Sequence, residues 1–219
     1  MSDGTTKEDP GLIANVASCR VLLISGSLRR RSTNSAVLRT AQAMAPDHIV
    51  TVLYDGLATL PHFNPDDDII PLHPTVEALR TQIRTTDAVL FSTPEYAGAL
   101  PGSFKNLLDW SIGDDHVGSI YEKPVAWINT SPRGGTDAHE SLRKVLSYAH
   151  ATIVEEACLQ IPVTTTMVHD NQPIVDLTIR DSIVEALEKL ATHIDRAVPQ
   201  IAFRLPAPNR TTTIPVISQ

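Results

Sequence analysis

Short runs of apolar and β-branched residues recur along the chain at 21–25, 51–54, 88–92, 125–129 and 152–154. After each comes a stretch whose apolar residues fall three and four apart. Val37, Ala41, Met44 and Ala45 form the first such stripe, Val76, Leu79 and Ile83 the second, and Phe104, Leu107, Leu108 and Ile112 the third. Leu142, Val145, Leu146 and Ala149 form the fourth, and a fifth runs from Ile179 through Ile183, Leu187 and Leu190 to Ile194. Runs of three to five apolar and β-branched residues predict strands, and stripes of period 3.6 predict helices that cover a sheet.

Strands that alternate with helices, with the first and third strands apolar throughout, predict an α/β fold whose parallel sheet is covered on both faces. Right-handed crossovers leave few arrangements. For five strands the doubly wound, flavodoxin-like order 2-1-3-4-5 is expected, which sets strands one, three and four side by side. The loops that leave those strands, 26–34, 93–102 and 130–136, then share one sheet edge. Ligands of open α/β sheets bind at that edge, where the strand order reverses.

With 219 residues, 42% of them hydrophobic, the chain is long enough for one domain with its own core. We expect that domain at 19–197, between a polar N-terminal arm at 1–18 and a proline-rich C-terminal arm at 198–219. Cys19 and Cys158 are too few for a disulfide framework and fit a reducing compartment. With no basic, apolar leader and no membrane span, the expected location is the cytoplasm.

Eighteen Lys and Arg against 25 Asp and Glu give a net charge of -7, which argues against nucleic acid as a partner. Between Arg20 and Pro46, however, there are five arginines and no acid. The first loop, GSLRRRSTN at 26–34, lies inside this stretch and offers hydroxyls, guanidinium groups and free N–H groups where a helix begins. It is neither a dinucleotide fingerprint nor a P-loop, and it suits a monophosphate dianion. The competing reading is that Ser32 to Asn34 only cap the helix while the arginines stay solvated. In the second loop, Pro94 and Gly98 fix a backbone path that can aim polar groups at a ring edge, and Tyr96 offers an aromatic wall. Alone, that loop also reads as an ordinary turn.

Taken together, GSLRRRSTN at 26–34 and TPEYAGALPGSFKNLLDW at 93–110 resemble the NADPH-dependent FMN reductase family, the flavodoxin-like group that includes chromate and quinone reductases. The likeness continues through LPHFNPDDD at 60–68, SPRGG at 131–135 and HDNQPIVD at 169–176. The resemblance implies bound FMN, with Ser27, Arg29, Ser32 and Asn34 holding its phosphate. It also implies that Pro94, Glu95, Tyr96, Ala97 and Gly98 border the isoalloxazine, with Ser131, Arg133, Gly134 and Gly135 on its other side. Ala97 stands where the family usually has Asn, and the third loop has Arg133 in a shorter glycine stretch. No side chain acts as a catalyst and no metal is implied, because the flavin carries the chemistry.

The implied reaction passes hydride from NADPH or NADH to FMN and electrons on to a small acceptor such as a quinone, free flavin, chromate or an azo compound. A homodimer or homotetramer is expected, with Arg30 and Arg31 left to meet the nicotinamide nucleotide. The alternative is a flavodoxin-type carrier reduced by a protein partner. Carriers dock through acidic surface, whereas this first loop is triply basic. The eight histidines lack zinc spacing, Asp66-Asp67-Asp68 reads as a solvated turn, and Ser25 to Leu28 lacks the second glycine of a nucleophile elbow.

Overall fold

A computed structural model describes residues 19–202, and the side chains of 19–196. The strands are β1 (Cys19–Ser25), β2 (Ile49–Tyr54), β3 (Ala88–Ser92), β4 (Pro124–Asn129), β5 (Thr152–Ile153) and β6 (Leu159–Gln160). The helices are α1 (Thr33–Met44), α2 (Pro74–Arg84), α3 (Gly102–Ile112), α4 (Thr136–Tyr148) and α5 (Leu177–Ala202). All pairings are parallel and the order is β2-β1-β3-β4-β5, the doubly wound arrangement expected from the pattern.

Side chains alternate across the pleat, which divides the core in two. On one face Val21, Leu23, Leu90 and Ile128 meet α1 and α5 through Val37, Leu38, Ile183 and Leu187. On the other, Leu22, Ile24, Phe91 and Trp127 meet α2, α3 and α4 through Leu79, Phe104 and Leu142. Trp110, Phe104 and Leu107 belong to this second layer, so the third helical stripe is core, with only Ile112 partly exposed at its end. Because β1 and β3 are buried on both sides, neither can slip by one residue without turning polar neighbours inward.

The fifth strand position differs from the single run expected at 152–154. Thr152–Ile153 pairs with the start of β4, a tight turn at Glu155–Ala157 follows, and Leu159–Gln160 then pairs with Ile128 and Asn129 at the far end of the same strand. The turn buries Val154 and Ala157 against the α5 layer. This break keeps an edge strand short, as edges generally are.

Asp66 and Asp67 are exposed as expected, but Asp68 is not part of a solvated turn. Both its oxygens pair with the buried Arg80 guanidinium at 2.8 Å, and Arg80 Nε also donates to Trp110 O at 2.9 Å. The fork needed a planar partner, and the nearest carboxylate supplied it. Helix α5 continues past the boundary expected at 197, with residues 198–202 as its last turn; the arms at 1–18 and 203–219 lie outside the described residues. Among the described residues no helix is long and apolar enough to cross a membrane.

Candidate functional site

Ser25 and Ser92 are register partners, so β1 and β3 end level and their loops leave side by side. Gly26 follows at once, its N–H donating to Ser92 O at 2.8 Å. A Cβ at Gly26 would lie 2.3 Å from Thr93 Oγ1, so only glycine lets the loops pass this closely. The first loop then turns on its own hydroxyls: Ser27 N–H donates to Ser25 Oγ and Arg29 N–H to Ser27 Oγ, each at 3.3 Å. Ser32 is the N-cap of α1, its Oγ accepting from Ser35 N–H at 3.2 Å. The N–H groups of Thr33 and Asn34 have no intrahelical acceptor and face outward at the positive end of the helix.

Asn34 is buried, and its Oδ1 lies within reach of two hydroxyls, Ser92 Oγ at 2.9 Å and Thr130 Oγ1 at 3.2 Å. Thr130 Oγ1 also meets Thr33 Oγ1 at 2.9 Å. Together these bonds join the ends of β3 and β4 to the first turn of α1.

In the second loop, Tyr96 and Ala99 exchange both backbone hydrogen bonds, at 3.0 and 3.1 Å, around Ala97 and Gly98. Both central residues have positive φ, 53° and 67°, which makes a two-residue turn of the kind that favours Asn-Gly. The third loop is held by Asn129, whose Oδ1 accepts from Ser131 N–H at 2.9 Å while its Nδ2 donates to Gly134 O. Gly135 has φ 54°, and a Cβ there would lie 2.9 Å from that of Ser131, so this stretch stays bare of side chain.

Between the three loops lies a cleft of about 430 Å³. The first loop and α1 contribute Arg29, Thr33 and Asn34 to its wall. The second contributes Thr93, Pro94, Glu95 and Tyr96, with Tyr96 half exposed at the rim. From β4 onward come Asn129 to Arg133, Gly135 and His139. Of the residues expected from sequence, Ser27, Ser32, Ala97, Gly98 and Gly134 do not line the cleft. Ser27, Ser32 and Gly134 instead hold loops in shape, and Ala97 with Gly98 forms the tip of a turn. Arg31 is also diverted, donating to Val168 O at 3.1 Å beside Asp170.

Asn129 and Thr130 escaped the motif reading, although both follow directly on an apolar strand, the position where such sheets bind ligands. His139 carries no comparable signal. It is buried, Nδ1 sits 2.7 Å from Gly135 O and Nε2 has no partner. Burial holds its pKa below the ordinary imidazole value, against the opposing pull of the Gly135 carbonyl and Glu95. At neutral pH His139 is therefore uncharged, and the Gly135 carbonyl, which can only accept, puts the proton on Nδ1. Asp114, Asp115 and His116 lie close enough to share an ion, but Asp114 already binds Arg84 and His116.

The cleft fits FMN by its own chemistry. The start of α1, with Arg29 beside it, is a site for a phosphate dianion. Pro94 to Tyr96 on one side and the bare backbone at Gly135 on the other leave a slot for a planar ring, within the size range of small-molecule sites.

Residues 19–166 match the model of the family described as NADPH-dependent FMN reductase. The chain is 44% identical over 179 residues to NAD(P)H-dependent FMN reductase PA1204 of Pseudomonas aeruginosa, covering 81% of this chain and 96% of that protein. It is 34% identical over 145 residues to a quinone reductase of Escherichia coli K12, covering 63% and 74%. Among solved structures, FerB of Paracoccus denitrificans, a flavoenzyme NAD(P)H:(acceptor) oxidoreductase, aligns with a TM-score of 0.68 and 26% identity, covering 80% of this chain and 98% of that one. The family match spans the strand ends and loops that build the cleft, and the chain belongs to the NADPH-dependent FMN reductase family.

Proposed function

We infer that this protein is an FMN-dependent NAD(P)H oxidoreductase that passes electrons to a small-molecule acceptor such as a quinone. The observation that carries this is the single cleft that joins the α1 anion site to the slot between Pro94–Tyr96 and Ser131–Gly135. When bound, FMN supplies the hydride-accepting and electron-releasing chemistry. Our assignment gives the phosphate to the N–H groups of Thr33 and Asn34, the Asn34 amide and Arg29. Ser27 and Ser32 shape that loop from behind rather than touching the ligand. Pro94, Glu95 and Tyr96 border the ring, Ser131 and Gly135 lie opposite, and the start of α4 directs its positive end toward the cleft, where negative charge develops on reduction.

The first test is spectroscopic. The purified protein should carry flavin absorbance or quench added FMN, and should oxidise NAD(P)H in the presence of a quinone. A colourless protein that takes up no FMN would overturn the reading. An electron carrier is disfavoured because Arg29 and Arg133, not a ring of acids, flank the cleft; rapid reduction by NAD(P)H alone separates the two. We also propose a cytoplasmic homodimer or homotetramer, in which exposed Leu28 of the first loop and exposed Tyr96 at the cleft rim meet a second copy. Light scattering that returns a monomer would remove that part.

A further inference from the structure

The first loop and the third leave β1 and β4, which are separated in the sheet only by β3. Two strand spacings amount to about 10 Å. The cleft thus has two cationic sides, Arg29 next to the start of α1 and Arg133 across from it. An FMN phosphate placed at α1 accounts for the first cation and leaves the second without a phosphate.

Arg133 occupies a fixed position. It is the third residue of the turn Ser131 to Gly134, in which Gly134 N–H donates to Ser131 O at 3.4 Å and Arg133 N–H to Ser131 Oγ at 3.3 Å. Asn129 ties both ends of that turn to β4. The guanidinium itself is exposed, and among the described residues it makes no ion pair and no hydrogen bond. An exposed arginine on a braced turn beside a ligand cleft suits a phosphate that arrives and leaves with a substrate.

Glu95 supplies a second, separate observation. Sites that select the unphosphorylated dinucleotide commonly hold the ribose 2′-hydroxyl with a carboxylate, whereas an arginine accommodates the 2′-phosphate. Glu95 is the one acid that lines the cleft among the described residues, and its Oε2 is engaged by Ala138 N–H at 3.1 Å. The cleft has an unpaired cation for a 2′-phosphate, and its one carboxylate is already tied at one oxygen to the start of α4.

We propose that Arg133 is the residue that selects NADPH over NADH, by pairing with the 2′-phosphate of its adenosine half. The inference rests on the cleft being the flavin and nicotinamide site proposed above. Arg133 takes no part in hydride transfer; it discriminates between two donors that share the reacting ring.

The test uses FMN-loaded protein and two adenosine probes, adenosine 2′,5′-bisphosphate and AMP, titrated calorimetrically into wild type, Arg133→Gln and Arg133→Lys. Wild type should bind the bisphosphate more tightly than AMP by roughly ten- to a hundredfold, the range of one charge-assisted contact. Arg133→Gln should close that gap and lower the NADPH-to-NADH ratio of kcat/KM by a similar factor, while Arg133→Lys keeps most of both. Equal binding of the two probes by wild type, or an unchanged gap in Arg133→Gln, overturns the proposal. So does equal weakening of both probes, which would put Arg133 on the pyrophosphate, or loss of FMN from Arg133→Gln, which would put it on the flavin. A wild-type protein that takes up no FMN refutes the flavin reading instead, and flavin fluorescence reports that independently of the probes.

Discussion

The Glu95 carboxylate, in the loop that leaves β3, accepts the backbone N–H of Ala138 in the first turn of α4 at 3.1 Å. Helix α4 begins after Gly135, which has no side chain to cap it, so the cap comes from the opposite wall of the cleft. Removing an N-terminal cap costs about 1 kcal/mol, and the charge at a helix start adds a few tenths more. Glu95→Ala should therefore lower unfolding stability by about 1 to 1.5 kcal/mol and weaken FMN binding, because the two walls lose their tie. Glu95→Gln keeps an acceptor oxygen and should recover most of the stability. Urea denaturation of both variants reads the difference, and equal losses would mean that the bond is not what matters.

Ala97 is a different case. Ala97 stands where the family that the sequence resembles usually has Asn, and in the structure it sits at the tip of a turn. What matters at this position is φ 53°, in the first central place of the turn between Tyr96 and Ala99. A left-handed conformation costs an alanine roughly 1 kcal/mol, and Asn tolerates it better because its side chain can bond locally. Ala97→Asn should raise unfolding stability by about 0.5 to 1 kcal/mol while FMN affinity stays within twofold. A loss of stability, or a large gain in affinity, would show that the side chain rather than the backbone is limiting here.

The contrast between Ala97 and Asn34 explains how much could be read from the chain. The sheet order followed from apolar runs and stripes because burial on both faces permits little else, as Val21 to Ile24 show. The loops that meet at the cleft followed from that order. Which residues touch the cleft did not follow, since a motif records a residue without its direction. Ser32 and Asn34 stand two apart in one motif, yet the first caps the helix and the second borders the cleft. Asp68 shows the same limit elsewhere, because its neighbours in sequence are exposed acids while its partner Arg80 comes from α2. Contacts between segments distant in the chain decide such cases, and no local pattern encodes them.

His139 should leave a trace in the pH dependence of stability. Burial lowers its pKa in the folded protein, whereas the unfolded chain protonates near the ordinary value of about 6.5. Above that pH both states are neutral and the residue contributes nothing. Below it the unfolded chain takes up a proton that the folded protein refuses, so stability falls as the pH drops from about 6.5 toward the folded pKa. The slope from one site is at most about 1.4 kcal/mol per pH unit. Asn can place an amide N–H near the Nδ1 position and does not titrate, so His139→Asn should flatten the acid side of the stability profile below about pH 6.5. An unchanged slope in that variant would assign the acid sensitivity to other groups.

Asn129 offers the strictest test of how the third loop serves the site. Its Oδ1 accepts from Ser131 N–H at 2.9 Å and its Nδ2 donates to Gly134 O, so one side chain closes the turn at both ends. The turn carries Arg133 and leads into Gly135, both of which border the cleft. Asn129→Ala removes both bonds at a nearly buried position, at a cost of about 1 to 3 kcal/mol. FMN affinity should fall about tenfold, because a turn that must be ordered on binding consumes part of the binding energy. Asp is nearly the same shape and separates the two bonds. It keeps the acceptor for Ser131 N–H but turns a carboxylate oxygen toward the Gly134 carbonyl, which also only accepts. Asn129→Asp should therefore bind FMN no better than Asn129→Ala despite its closer likeness to the native residue. Flavin fluorescence titration decides this, and wild-type affinity in the Asp variant would mean that the Gly134 contact does not hold the loop.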